Sequence, residues 1–148
     1  MSEQTASGIS DLKSEISSRL ADSTGSFAEL VAEGTPAPGG GSVAAYCGVL
    51  AAALGRMMCN LTVEKKKYEQ VEPRIKEIRA EMERLSAGLR ELIDEDAASF
   101  ERVMTAYRLP REDAERLAKR EQAIEIAGRD AIAAPRQTAR LVLEKRGR

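Results

Sequence analysis

Apolar residues recur most regularly between Glu69 and Tyr107, where Val71, Ile75, Ile78, Met82, Leu85, Leu89 and Leu92 alternate steps of four and three. That spacing puts all seven on one stripe of a helix and predicts a long bundle helix. Phe100, Val103 and Tyr107 extend the stripe, Pro73 stands near its start where proline is tolerated, and Pro110 marks its stop. A second apolar stretch, Val43 to Val63, is hydrophobic on every side, which predicts an interior helix with Ser42 as its cap. Within it Ala44, Gly48, Ala52 and Gly55 form a small-residue face against which a neighbouring helix can lie close. Ser26 followed by Glu29 reads as a capping box opening a short helix from Phe27 to Ala32, and Ile9, Leu12, Ile16 and Leu20 allow a modest helix before it. Beyond Arg111 a more polar helix carries Leu117, Ile124, Ala127 and Ala131; Pro135 is expected to interrupt it, with Leu141, Val142 and Leu143 opening a last segment. No stretch shows the two-residue alternation of a strand. The expected fold is all-α, a helical bundle with one long central helix and a buried Ala/Gly-rich helix.

Composition narrows the function. The chain has 148 residues, a length typical of one domain, and 43% apolar residues. With 23 Lys and Arg against 24 Asp and Glu, the net charge is -1, so no electrostatic case exists for nucleic acid. Aromatics at 3% argue against base stacking as well. No histidine occurs, which excludes His-based zinc sites and Ser-His-Asp or Cys-His catalysis. Acid-base chemistry near neutral pH falls to carboxylates, lysine, tyrosine or water, and neither a metal nor a cofactor is expected. Cys47 and Cys59, on one helix, lie about 18 Å apart, too far for a disulfide. Reduced, buried thiols fit a cytoplasmic protein. Val43–Val63 has the length of a membrane span, but its Ala and Gly content and Arg56 favour a buried helix and no membrane.

Three features carry candidate chemistry. Pro38, Gly39, Gly40, Gly41 and Ser42 open the apolar helix, and glycines there are read either as a packing turn or as a place where backbone amides meet an anion. Asp96 falls on the apolar stripe of the long helix, at the step after Leu92. A carboxylate there must be paired or hydrogen-bonded; a structural ion pair with Arg56 or a lysine and a functional acid are both open. Asp94 points to almost the opposite face. The third feature is Asn60 with Lys65, Lys66, Lys67 and Tyr68, either a solvated helix end or a holder for an anionic tail.

Five blocks in order give these features a context: Thr35 to Ala45, Asn60-Leu61-Thr62, Lys65 to Tyr68, Leu92 to Phe100, and Ala106 to Pro110. Together they closely resemble the cyclodeaminase domain of the formiminotransferase-cyclodeaminase family, which includes stand-alone methenyltetrahydrofolate cyclohydrolases. The resemblance implies a homodimeric helical domain over residues 27–148, preceded by a variable extension over 1–26. It implies a one-carbon enzyme of the cytoplasm acting on a tetrahydrofolate adduct, either as a cyclodeaminase (an ammonia lyase) or as a cyclohydrolase. Asp96 is the implied catalytic acid, with Asp94 second. Pro38, Gly39, Gly40, Gly41, Ser42, Asn60, Lys65, Lys66, Lys67, Tyr68 and Tyr107 are the implied substrate-binding residues. Family members continue with a Gly/Asn-rich segment, a Ser-Asp pair and further core helices, so the domain is expected to be incomplete at its C-terminus. The alternative reading is therefore an inactive folate-binding or dimerising module.

Overall fold

The computed structural model describes residues 25–35 and 37–144; the helix expected near Ile9 to Leu20 lies outside them. The chain divides into two units, Met1–Thr35 and Pro36–Arg148. In the first, residues 25–32 are helical (α1), and Glu33 donates its amide to Glu29 at 2.9 Å. Ser26 thus lies inside that helix and does not precede it, so it is not the cap the capping-box pattern suggested.

The second unit contains α2 (Gly40–Thr62), a 3-10 turn (Lys66–Val71), α3 (Glu72–Tyr107), α4 (Ala114–Ala131) and α5 (Ala133–Glu144). No strand occurs among the described residues. The 36 residues of α3 make a rod about 54 Å long, and the other helices pack along it. The chain turns back between α2 and α3, so the two run antiparallel. Their register is set by glycines. A Cβ at Gly48 would stand 2.8 Å from Leu89 Cδ1, and one at Gly55 would stand 3.1 Å from the Met82 side chain. Bare backbone at both positions lets the helices close up, and Leu89 is fully enclosed as a result. Ala45, Val49, Ala52 and Cys59 complete the buried stripe of α2. Ala44, expected to belong to the small-residue face, is exposed, because it lies about a quarter turn away from that stripe.

The interior helix proves one-sided. Leu50, Leu54, Met57, Met58 and Leu61 are exposed, and so is Cys47; only Cys59 of the two free cysteines is buried. By length and composition, with a mean hydropathy of 1.5, α2 alone among the described helices is apolar enough to cross a membrane. The stripe on α3 keeps its alternation of four and three past Leu92, through the buried Ser99 and Ala106, each seven residues after the last. Phe100 and Tyr107, expected to extend it, stand exposed because each lies one position off that repeat.

Turn chemistry fixes the remaining ends. Glu64 takes the left-handed conformation (φ 64°) just past the end of α2, and its amide reaches the Glu72 carboxylate at 3.3 Å. Lys76 holds the other oxygen of Glu72 at 2.7 Å. The Lys76 hydrogen bond first, then that of the Glu64 amide, lower the Glu72 pKa. Pro135 interrupts nothing: the break falls at Ile132, and Pro135 sits in the first turn of α5, where a missing N–H costs no helical bond. Leu141, Val142 and Leu143 are therefore the last turns of α5 and open no new segment. Asp113 caps α4 by accepting from the Arg116 amide at 2.8 Å. Asp113→Ala is expected to lose about 1 kcal/mol, read as a fall of a few degrees in Tm with activity unchanged.

Candidate active site

Helix α2 starts without a side-chain cap of its own. Its N-cap is Gly39, and Gly40 and Gly41 follow, after a cis bond between Ala37 and Pro38. The first-turn amides of a helix have no partner within it, and three glycines bring no oxygen to satisfy them. The missing acceptor comes from α3. Asp96 Oδ2 accepts from the Ser42 amide at 2.8 Å and lies 2.9 Å from Ser42 Oγ. The same hydroxyl lies 3.2 Å from the Ile93 carbonyl, so its single proton is shared between two acceptors. Ser42 has no exposed surface, and Asp96 is half-buried. Ser99, one turn further along α3, donates to the Asp96 carbonyl at 2.8 Å and fixes the backbone beneath the acid.

The glycines make this contact possible. A Cβ built on Gly41 would fall 2.0 Å from Asp96 Oδ1 and 2.5 Å from its carboxyl carbon, so no side chain fits between α2 and the acid. Asp96 is thus held by one oxygen against the positive end of a helix. Its second oxygen, Oδ1, lies over Gly41 and makes no hydrogen bond among the described residues. One oxygen anchored and one open is an arrangement suited to moving a proton or steadying a cation. Gly41→Ala should swing the carboxyl off Ser42 and lower turnover about 10- to 100-fold, since misplacing a catalytic group by 1 Å is worth that much. Gly128→Ala, at a helical site with nothing within 4 Å, should leave kinetics unchanged.

The other expected site residues separate into two groups. Pro38, Gly39, Gly40, Gly41, Ser42 and Asp96 gather at one end of the α2–α3 pair. Ser42's amide is taken by Asp96, and Gly40, two residues before it, is exposed. Asn60, Lys65, Lys66, Lys67 and Tyr68 are exposed at the other end, about 34 Å away along α2. There Lys67 rests 5.5 Å from the centre of the Tyr68 ring, and Lys65 and Lys66 line a shallow groove with Glu64, Glu69 and Glu72. Within one chain they cannot share a small ligand with Asp96. Tyr107 is about 17 Å from Asp96 along α3, exposed and stacked with Arg120 at 5.5 Å. Asp94 is exposed on the far face of α3, and Arg56 is not the partner of Asp96. The register places Arg56 opposite Glu83, at 3.5 Å. The residue missing from the sequence reading is Ser99, whose signal is its place on the apolar stripe, seven residues after Leu92 and three after Asp96.

A helical bundle whose central helix presents a carboxyl group to a glycine-opened neighbour defines a class of all-α domain with an acid at a helix joint. Residues 23–145 match the family model described as Formiminotransferase-cyclodeaminase, and the chain belongs to that family. It is 42% identical over 105 residues to a methenyltetrahydrofolate cyclohydrolase of Methylorubrum extorquens, covering 68% of this chain and 50% of that protein. It is 32% identical over 116 residues to the mouse formimidoyltransferase-cyclodeaminase, covering 78% of this chain and 21% of the relative. The formiminotetrahydrofolate cyclodeaminase of Thermotoga maritima superposes with a TM-score of 0.65 at 35% identity, covering 78% of this chain and 53% of that one. The chain spans about half the length of the cyclohydrolase it matches.

Proposed function

We propose that this chain belongs to a folate one-carbon enzyme that forms or opens the 5,10-methenyl bridge of tetrahydrofolate, with Asp96 as its proton-carrying acid. The observation that carries the reading is the Asp96 carboxyl, anchored by Ser42 through Oδ2 and open at Oδ1 beside Gly40 and Gly41. Both candidate reactions pass through a tetrahedral carbon between N5 and N10, and both involve a cationic amidinium. In cyclohydrolysis, water adds to the bridge carbon, Oδ1 takes its proton, and one C–N bond opens as a proton goes to the departing nitrogen. In cyclodeamination, N10 adds to the formimino carbon, and Oδ1 carries the N10 proton to the leaving ammonia. A carboxylate beside the amidinium also stabilises its charge in a partly desolvated cleft. Holding N5, N10 and the acid in line supplies much of the remaining acceleration. The chemistry draws on no cofactor, and the cytoplasm, where its free cysteines stay reduced, is the proposed compartment.

The 42% identity to a cyclohydrolase supports the hydrolytic direction, while the similarity to a Thermotoga cyclodeaminase supports the other. Two assays on the purified chain decide. Loss of the methenyl chromophore reports the hydrolase, and ammonia release from 5-formimino-tetrahydrofolate reports the lyase. Turnover of neither, with tetrahydrofolate still quenching or shifting in a titration, would reduce the chain to a folate-binding module.

A further inference from the structure

The hydroxyl of Ser42 stands between two acceptors, Asp96 Oδ2 at 2.9 Å and the Ile93 carbonyl at 3.2 Å, in a side chain with no exposed surface. Buried in this way, it reaches a ligand only through Asp96. The two acceptors differ in one respect: Oδ2 belongs to a group that changes charge during the proposed reaction, and the Ile93 carbonyl does not. An ionised carboxylate draws a hydroxyl hydrogen more strongly than a neutral carbonyl does. Once Oδ1 holds a proton, Oδ2 becomes the carbonyl oxygen of a neutral acid, and that advantage goes. Oδ2 still accepts from the Ser42 amide at 2.8 Å, a donor fixed in the backbone of α2 that cannot turn. The hydroxyl can. A helix carbonyl has two lone pairs and its own helix uses one, so Ile93 is free to take the hydrogen that Oδ2 no longer holds. The exchange needs only rotation about the serine C–O bond and moves no heavy atom. The frame around it is fixed, because Ser99 donates to the Asp96 carbonyl at 2.8 Å and the bare Gly41 lies against the carboxyl.

We infer that Ser42 is a positioning residue of the reaction whose hydroxyl hydrogen follows the charge on Asp96, donating to Oδ2 while the acid is ionised and turning to Ile93 once Oδ1 has taken a proton. The inference rests on the functional reading of Asp96 as the proton-carrying acid. In cyclohydrolysis the water oxygen bonds to the bridge carbon, the proton it loses goes to Oδ1, and the Ser42 hydrogen turns to Ile93. When Oδ1 passes that proton to the departing nitrogen, the hydrogen turns back. Ser42 keeps its own proton throughout. In cyclodeamination the same turn accompanies the passage of the N10 proton through Oδ1 to ammonia. The half-buried acid thus changes charge without leaving the buried hydroxyl unpaired, a state that would otherwise carry a desolvation cost at every turnover.

Two measurements test it. The first needs no substrate, because asparagine at position 96 is a neutral stand-in for the protonated acid. In protein carrying carbon-13 at its isoleucine carbonyls, Asp96→Asn should move one labelled amide band to lower infrared frequency, as Ile93 gains the hydroxyl hydrogen. The movement should vanish when the same comparison is made in a Ser42→Ala background, where the other isoleucines cancel. An unmoved band, or a movement that survives loss of the hydroxyl, would overturn the exchange. The second measurement is a cycle of turnover numbers. Ser42→Ala should lower kcat about 10-fold with KM unchanged, the worth of one hydrogen bond to a charged group. In the Asp96→Asn background the same substitution should cost nothing further, since the residual reaction no longer passes a proton through the acid. Equal losses in both backgrounds, or a rise in KM with kcat kept, would refute a role exercised through Asp96. If the unsubstituted protein turns over neither folate substrate, the functional reading fails and the positioning role with it. Turnover lost in Asp96→Asn but untouched in Ser42→Ala sinks the inference alone and leaves the functional reading in place.

Discussion

Asp96→Asn is expected to lower turnover about 1,000-fold, within the range for removing a positioned acid-base group, while leaving the protein folded and able to bind folate. The substitution is close to isosteric. The asparagine oxygen can still accept from the Ser42 amide and hydroxyl, now at 2.8 and 2.9 Å from Asp96 Oδ2, so the start of α2 keeps its borrowed cap. What disappears is the charge beside the amidinium and the atom able to carry a proton. Exchanging a charged acceptor for a neutral one weakens each retained hydrogen bond, at a stability cost of about 1 kcal/mol. That cost shows as a small drop in urea midpoint and separates the chemical effect from the structural one. Ser42→Ala is the matched structural variant: the amide still binds Oδ2, but the hydroxyl contact goes. It should lower kcat far less than Asp96→Asn. Turnover by Asp96→Asn within threefold of the unsubstituted protein would remove the acid from the mechanism and leave the joint a purely structural cap.

Much of this joint is legible in the order of residues alone. The stripe from Val71 to Leu92 identifies the long helix because side chains at steps of three and four share a face, and Asp96 stands out because it interrupts that face. Glycine in the first turn of α2 is legible as close approach, but not what approaches. The atom that meets Gly41 belongs to a residue 54 positions from Ser42, and only the antiparallel register of α2 on α3 brings them together. That register depends on Gly48 meeting Leu89 and Gly55 meeting Met82, pairings that local periodicity does not encode. The same register explains why Arg56 finds Glu83 and not Asp96. Hydrophobicity of α2 is equally ambiguous read alone. An all-apolar helix signals burial, yet only one of its faces is covered by α3 and α5 in a single chain, and the other leaves Leu50, Leu54, Met57, Met58 and Leu61 exposed. The family blocks named the lysine turn as part of the site, whereas the length of α2 puts it at the opposite end of its own chain.

The register also gives the largest expected effect on stability, at Gly48. Gly48→Leu should destabilise the protein by about 3 kcal/mol or more, the upper range for overpacking a filled core. The first added carbon already lies 2.8 Å from Leu89 Cδ1, and Leu89 itself has no exposed surface into which to turn. Three further carbons have no space unless the helices separate. Separation would open the contacts of Ala45, Val49 and Ala52 along the same stripe, and it would draw Ser42 away from Asp96 two turns earlier, so activity should fall with stability. Two smaller changes calibrate the effect. Gly128→Ala in α4 meets nothing within 4 Å, so only the helix-propensity gain of up to about 1 kcal/mol applies, and this variant should melt above the unsubstituted protein. Gly48→Ala receives the same gain but must push Leu89 aside by several tenths of an ångström, which should place it below Gly128→Ala by about 1–3 kcal/mol. Chemical denaturation of the three variants reads the order directly. Gly48→Leu melting together with the unsubstituted protein would mean that α2 and α3 do not touch at Gly48, and the joint that holds Asp96 against Ser42 would lose its foundation.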